Sequence, residues 1–261
     1  MAQLPRQQLL QGASFRDPLV RVLDLAEQAL KTWTVTYSDF LPPGAVAEIG
    51  QRLASLADVH WLSWGGYAQA ERQRLALARA ETPLELESIP VQAIEIQGNF
   101  LFDPAGHRDF RGALLGTGLV PEKIGDILVL GEQGAQALLV PELVDYVQMH
   151  LTQVRTVPVK VRPISLSELK VRPPRVKELQ TVEASLRLDA VASAGFGISR
   201  SKMVAEIERG EVRVNWQTVL NSHHPLQSGD LVSVTGRGRL EIGEIQTTQK
   251  GRYRIHLKRF L

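Results

Sequence analysis

The sequence predicts an α+β protein built from three parts. Apolar residues recur at helical and then at strand spacing over residues 1–85, which predicts a small N-terminal α/β domain. Residues 86–165 follow the order β-α-β-β-α-β of a ferredoxin-like unit, a topology that RNA-recognition domains share. Residues 183–261 contain two short helices and a compact β element. A basic, proline-containing linker is predicted over residues 166–182.

The composition is that of an ordinary globular protein with unevenly placed charge. The chain of 261 residues has no cysteine, which excludes disulfides and thiolate metal sites and favours a cytoplasmic location. No apolar run approaches the length of a transmembrane helix, so we expect no membrane insertion. Residues 1–150 carry 11 basic and 18 acidic side chains, whereas residues 151–261 carry 19 and 10. This asymmetry favours a polyanion partner for the basic half, and a solvated basic surface is the alternative.

The N-terminal part is predicted to follow the order α-β-α-β-α. Asp17 is expected to cap the first helix, with Pro18 as its first residue. The predicted elements are a helix over residues 16–31, a strand over 32–37, a helix over 44–57, a strand over 59–64 and a helix over 68–79.

The stretch from Gly65 to Arg79 is a candidate phosphate site, because a Gly-Gly turn there would lead into a helix N-terminus with free N–H groups. Neither a Walker pattern nor the glycine spacing of a dinucleotide loop is present. The alternative, a tight turn followed by a charged helix face, is favoured.

In the central part, no aromatic-rich RNA-recognition signature lies on the predicted strands, so the topology alone does not predict an RNA-binding sheet. His107-Arg108-Asp109 is similar to a kinase catalytic loop but lacks its partner motifs. We therefore expect no catalysis there. The predicted elements are strands over residues 91–97, 125–130, 135–140 and 157–161, and helices over residues 108–119 and 141–154.

The basic C-terminal part begins with a helix that opens at Leu186 and ends at Gly195 and Gly197. Ser199 is expected to cap a second helix that Gly210 ends. Met203, Val204 and Ile207 form its buried stripe, and Lys202 and Arg209 project away from that stripe. Residues 211–215 and 231–235 are predicted strands, with Arg213 and Asn215 pointing outward.

The start of the second helix is the strongest candidate site. Arg200 and Lys202 lie in its first turn, where free backbone N–H groups already favour an anion. Arg187 and Arg213 would extend the same cationic face. Such contacts position a nucleic acid rather than specify its sequence. Because neither Arg200 nor Lys202 lies on the apolar stripe, replacing both is expected to leave the fold intact.

Residues 187–234 closely resemble the S4 RNA-binding domain. The matching residues are Arg187-Leu188-Asp189, Ser199-Arg200-Ser201, Ile207, Gly210, Val212, Val214-Asn215 and Gly229-Asp230. In that family, a two-helix face bearing Arg and Lys grips structured RNA. The resemblance implies RNA contacts, and the full candidate set is Arg187, Ser199, Arg200, Ser201, Lys202, Arg209, Arg213 and Asn215.

The wider chain is similar to the YlmH-type proteins, which place an S4 domain after an N-terminal and an RNA-recognition-like domain. The resemblance rests on Gly65-Gly66-Tyr67, Ala70-Glu71-Arg72, His107-Arg108-Asp109, Gly112-Ala113 and Gly125-Asp126-Ile127. Within that family, the sequence is most similar to the cyanobacterial and plastid branch of photosystem II S4 domain proteins. YlmH-type proteins are linked to ribosomes and translation quality control.

Three functions remain open at this point. The first is a non-catalytic protein that binds ribosomal or transfer RNA and associates with the ribosome, without cofactor or metal. The second is an RNA-modifying enzyme, because pseudouridine synthases also carry S4 domains. Here, however, Asp189 belongs to the S4 helix itself and is expected to cap or pair locally. The third is a photosystem II assembly factor, in which the acidic N-terminal half binds an unknown protein.

Overall fold

The computed structural model describes residues 4–171, 173 and 176–260, and the chain divides into two compact units over residues 1–171 and 172–261. The α+β fold with N-terminal, ferredoxin-like and S4 parts is confirmed. Across the described ranges, no helix is long and apolar enough to cross a membrane.

The N-terminal part packs helices on a three-stranded antiparallel sheet of order β1-β3-β2. Its helix α2 is confirmed but begins after Phe15 without a side-chain cap, so the predicted cap by Asp17 is wrong. The strand predicted over residues 32–37 is shorter, because α2 continues to Thr32. The elements are α1 (Arg6–Leu10), α2 (Arg16–Thr32), β1 (Thr36–Tyr37), α3 (Pro43–Leu53), β2 (Val59–Trp64) and β3 (Arg74–Arg79).

The helix predicted over residues 68–79 is wrong, because Arg74–Arg79 is the central strand β3 of this sheet. Its residues have high helix propensity, but tertiary packing overrides that preference. Leu75 and Leu77 are fully buried in the core beneath α2 and α3. Arg74 is also buried and donates hydrogen bonds to the carbonyls of Ser38 and Pro90.

The central part has the predicted ferredoxin-like topology, with an all-antiparallel sheet of order β5-β6-β4-β9. The second helix is shorter than predicted, since Pro141–Leu143 forms a 3-10 turn before it. The elements are β4 (Gln92–Gln97), α4 (His107–Gly116), β5 (Ile124–Val129), β6 (Gly134–Leu139), α5 (Val144–His150), β7 (Gln153–Val154), β8 (Val157–Pro158) and β9 (Lys160–Ile164).

The C-terminal unit packs two helices on one face of a six-stranded sheet of order β10-β15-β14-β13-β11-β12. The unit is larger than the resembling stretch, because β10, β14 and β15 lie outside residues 187–234. The elements are β10 (Val176–Glu183), α6 (Leu188–Phe196), α7 (Arg200–Glu208), β11 (Val212–Val214), β12 (Gln217–Thr218), β13 (Leu231–Val234), β14 (Gly238–Thr247) and β15 (Tyr253–Phe260).

The predicted linker over residues 166–182 is in part regular structure. Leu166–Glu168 forms a 3-10 turn, and Val176–Glu183 pairs along its whole length with β15. Exposed and half-buried residues alternate toward the end of Val176–Glu183, as expected of a strand. The prolines that precede this segment led to its prediction as a linker. Three residues of the predicted linker, Arg172, Pro174 and Arg175, lie outside the described residues.

Candidate nucleic-acid interface

The junction between α6 and α7 is a tight helix-turn-helix built from local signals. Gly197, at φ +67°, ends α6 in the left-handed conformation that glycine adopts at least cost. Ser199 then caps α7, accepting a hydrogen bond from the Lys202 backbone N–H at 3.3 Å. Gly195 does not end the helix as predicted. It lies inside α6, where an added Cβ would come within 2.3 Å of Leu240 Cδ2, so its role is close packing on the sheet.

Asp189 holds two of the predicted RNA-binding arginines in a single cluster. Its carboxylate is 3% exposed and accepts two hydrogen bonds from Arg187, at 3.1 and 2.9 Å, and two from Arg200, at 2.9 and 3.2 Å. Each arginine uses its Nε and Nη2 atoms in a fork that matches the carboxylate. The expected local pairing of Asp189 is confirmed.

Asp189, Arg187 and Arg200 form an ion triad in which all three side chains stay charged. Burial raises the pKa of Asp189, but the hydrogen bonds and charges of Arg200 and Arg187 outweigh this effect, so its pKa lies below the ordinary value. Hydrogen bonding to Asp189 raises the pKa of Arg200. Asp189 is therefore a carboxylate at neutral pH, and the triad keeps one net positive charge.

Both arginines can still contact a ligand. A guanidinium has five N–H donors, and each arginine spends two of them on Asp189. Their side chains are 35% and 53% exposed for Arg187 and Arg200, respectively. Because Asp189 fixes both side chains, little conformational entropy is lost when an anion binds.

Lys202 and the start of α7 complete the site. Lys202 is exposed, and its ammonium group has no ion pair or hydrogen bond among the described residues. The backbone N–H groups of Arg200 and Ser201 lie in the first turn, which leaves them without an intrahelical acceptor. Ser199 and Ser201 add hydroxyl groups 3.2 Å apart. The junction therefore joins a net positive charge to a helix N-terminus, an arrangement suited to phosphate.

Two other candidate residues, Arg209 and Asn215, lie elsewhere in the unit. Arg209 is at the far end of α7 and pairs with Glu211 at 3.2 Å. Asn215 sits in the turn between β11 and β12, with φ +47°, and its amide is bonded to Asp230 and to the Leu231 N–H. Its amide group is thus used to hold the turn.

Arg213 does not extend the cationic face of the helix junction, so that expectation is wrong. Its neighbours Val212 and Val214 are buried against the helices, whereas Arg213 is exposed. Successive side chains of a strand point to opposite faces. Arg213 therefore lies on the face of the sheet that points away from α6 and α7.

Arg200 also has a structural role that its position off the apolar stripe conceals. Replacing Arg200 removes half of the hydrogen bonds to a buried carboxylate. The expectation that an Arg200 and Lys202 double replacement leaves the fold intact stays a prediction, and the contacts of Arg200 with Asp189 imply a loss of stability that the sequence pattern did not indicate. Lys202 has no partner in the described part of the chain.

Strands β4 and β6, in the middle of the central sheet, are largely covered on the face opposite α4 and α5. The face opposite α4 and α5 is covered by Phe40, Tyr67 and Leu166, which pack on Ala93 and Leu138. Polar residues on the same sheet are also closed off. Gln136 is 1% exposed and bonds to the Glu168 carbonyl and the Lys170 N–H, and Glu95 pairs with Arg162 at 2.6 Å. On these two strands, most of the surface that RNA-recognition domains use is thus internal here.

The Gly65 loop binds the protein's own carboxylate rather than a phosphate. The Asp126 side chain accepts hydrogen bonds from the backbone N–H groups of Glu71, at 2.7 Å, and Arg72, at 3.0 Å, and from the Tyr67 hydroxyl at 2.8 Å. No helix follows the turn. Four of the residues on which the wider resemblance rests, Tyr67, Glu71, Arg72 and Asp126, therefore join the N-terminal part to β5.

The kinase-like motif is structural as well. Asp109 accepts a hydrogen bond from the Gly106 N–H at 2.8 Å as part of a capping box for α4, and it lies 3.7 Å from Arg155. The Asp109 carboxylate is thus used to begin a helix.

Three family models match the chain in sequence order. They are "YlmH, N-terminal" over residues 14–82, "Putative RNA-binding domain in YlmH" over residues 85–168, and "S4 domain" over residues 186–232. Together they span most of the chain, and the helix junction lies inside the S4 match.

A curated relative and a solved structure are similar to the chain. "Ribosome-associated protein quality control protein P2" of Bacillus subtilis (strain 168) is 33% identical over 223 residues, which span 85% of this chain and 86% of the relative. "Cell division protein ylmH from Streptococcus pneumoniae" has a TM-score of 0.52 at 20% identity and covers 62% of this chain and 98% of that chain. At that identity the second likeness shows the fold alone.

Proposed function

The chain belongs to the YlmH family, and we propose that it is a non-catalytic protein that recognises structured ribosomal or transfer RNA through the α6–α7 junction. The matched S4 domain and ribosome-associated relative support RNA binding itself. The RNA class, the contact residues and the absence of catalysis are the proposal.

One observation carries the choice of site: a buried Asp189 holds Arg187 and Arg200 beside the first turn of α7, next to Lys202, which has no ion pair among the described residues. The cluster is suited to the sugar-phosphate backbone, because its donors are fixed in direction and its net charge is positive. Ser199 and Ser201 add hydroxyl donors at the same place. Arg209, Arg213 and Asn215 lie away from the junction and are the weaker candidates for RNA contact.

Association with the ribosome is part of the proposal and is supported by the printed name of the Bacillus subtilis relative. The cytoplasmic location predicted from the sequence accords with it and stays a prediction. An enzyme of pseudouridine-synthase type is disfavoured because Asp189, which belongs to the S4 helix itself, is enclosed by two arginines. The photosystem II alternative finds no support in the matched families or the relatives.

Lys202→Ala tests the site without disturbing the triad. Removing one charge-assisted contact should weaken binding to large ribosomal subunits about tenfold. It should also lower the slope of log affinity against log salt by roughly 0.7–0.9, the share of one phosphate. Co-sedimentation at several salt concentrations measures both quantities.

Lys31→Ala is the matched control, because Lys31 is an exposed lysine of α2 with only a 4.0 Å ion pair. It should bind like the wild type. Equal affinity and equal salt slope for Lys202→Ala and the wild type would contradict the site. Analysis of modified nucleosides in RNA from cells lacking the protein tests the non-catalytic part, and a missing modification would overturn it.

A further inference from the structure

Strand β15 carries a line of basic side chains on the face of the sheet that points away from the helices. Ile255 and Leu257 are buried in the core with α6 and α7, whereas Arg254, His256 and Lys258 are exposed. Since side chains two residues apart share a face, these three lie in one row about 7 Å apart.

The row continues into the turn between β14 and β15. Lys250 and Arg252 are exposed there, and with Arg254 they line an open groove of about 870 Å³. The register neighbours of Arg254 are Val182 and Gln246, which carry no charge. Lys250, Arg252 and Arg254 have no ion pair among the described residues. Two carboxylates, Glu178 and Glu241, lie beside Lys258, so the positive charge is concentrated toward the turn.

The opposite end of the same face combines arginine with aromatic rings. Arg213, Ser233, Arg239 and Phe260 are register neighbours across four strands. The guanidinium of Arg239 lies 5.8 Å from the Phe260 ring centroid and 5.9 Å from that of Trp216. Arginine planes and aromatic rings are the groups on which unpaired bases stack.

We propose that this outer face, defined by Arg213, Arg239, Arg252, Arg254 and Lys258, is a second RNA-binding surface that holds a sugar-phosphate backbone. It lies on the opposite side of the sheet from the helix layer that carries Arg200 and Lys202. One phosphate cannot reach both surfaces, so the C-terminal unit holds two RNA segments at once. The S4 match ends at residue 232, before four of these five cations.

RNA fits this face better than a membrane or an acidic protein does. The cations follow a regular line along one strand, as contact with a continuous phosphate backbone requires. A membrane surface site would need a band of large apolar residues beside the charges. Among the described residues of this face, the exposed large apolar side chains are Val176 and Val182, near opposite ends of β10. The inference rests on the proposed function only in taking RNA as the partner.

The test compares three variants of the full chain for binding to large-subunit ribosomal RNA over a range of salt concentrations. The outer-face variant is Arg252→Ala/Arg254→Ala/Lys258→Ala, and the junction variant is Lys202→Ala. The control, Arg16→Ala/Arg21→Ala/Lys31→Ala, removes two arginines and a lysine that are exposed on α2. Thermal unfolding of each variant confirms that it is folded.

The outer-face variant should lose roughly 2–3 units of salt slope, because each lost phosphate contact contributes about 0.7–0.9. Loss in this variant and in the junction variant, with the control unchanged, supports both surfaces. Loss in the junction variant alone overturns the second surface, whereas loss in the outer-face variant alone supports it and removes the junction from the proposed function. An equal loss in the control assigns binding to overall charge and overturns both.

Stoichiometry gives an independent readout. Native mass spectrometry with a short hairpin RNA should find two RNA molecules on the wild type and one on the outer-face variant. One RNA on both proteins would overturn the proposal. So would binding of the wild type to phosphatidylglycerol vesicles that the same triple replacement abolishes while RNA affinity stays unchanged.

Discussion

The Asp189 triad makes a prediction about stability that depends on how the two arginines share one carboxylate. Arg187→Ala or Arg200→Ala alone leaves Asp189 with one two-bonded partner. Each single change should destabilise the C-terminal unit by about 1–2 kcal/mol, because the lost bonds are charge-assisted but the arginines are partly solvated. The double replacement leaves a carboxylate that is 3% exposed without any cation. Its cost should be about 3–5 kcal/mol, beyond the sum of the singles.

Adding Asp189→Asn to the double variant should restore most of the lost stability, since a neutral amide is far less costly to bury than an unpaired carboxylate. Hydrogen exchange at the amides of α6 reports the local opening free energy directly. The measurement does not include unfolding of the unit over residues 1–171. Strictly additive single effects, or an Asp189→Asn change that fails to rescue the double variant, would refute this account of the junction.

Further predictions concern acid stability and the strand β3. The pKa of folded Asp189 lies below its ordinary value, so its stabilising effect is complete above about pH 4 and is lost as the pH falls through the lowered value. Asp189→Asn should weaken this loss of stability at acid pH, measured by hydrogen exchange of the α6 amides. An unchanged dependence on acid pH would contradict the assignment. Arg74→Lys should destabilise the N-terminal part by about 2 kcal/mol or more, because lysine cannot supply both carbonyl contacts of the buried guanidinium. Urea unfolding measures it, and a loss below about 0.5 kcal/mol would indicate that Arg74 is not a central-strand anchor.

The sequence predicts the two helices and strands β11 and β13 of the C-terminal unit because their signals are local. The Ser199 cap, the left-handed Gly197 and the alternation around Arg213 each act within a few residues. The helix predicted over residues 68–79 is wrong because long-range contacts, not local signals, decide the structure of residues 74–79. Leu75 to Ala78 is a continuous apolar run that fits either a buried strand or a helix, and only the contacts with β1 and β2 select the strand.

Only the part of the candidate site that depends on local signals could be predicted from the sequence. Helix spacing places Arg200 and Lys202 at the start of α7, but the pairing of Arg200 with Asp189 joins residues on two helices. The burial of the central sheet by Phe40 likewise depends on a long-range contact that no local pattern encodes. The basic line on β15 was missed although its signal is simple. Basic and apolar residues alternate from Arg252 to Lys258, which is the pattern of a half-buried strand.

Crosslinking of the full chain to large ribosomal subunits, followed by mass spectrometry of the attached peptides, locates the RNA contacts on the protein. We expect RNA crosslinks within residues 187–203, and none on strands β4 and β6, whose outer face is covered by the chain itself. Crosslinks concentrated on β4 and β6, with the α6–α7 junction unlabelled, would contradict it.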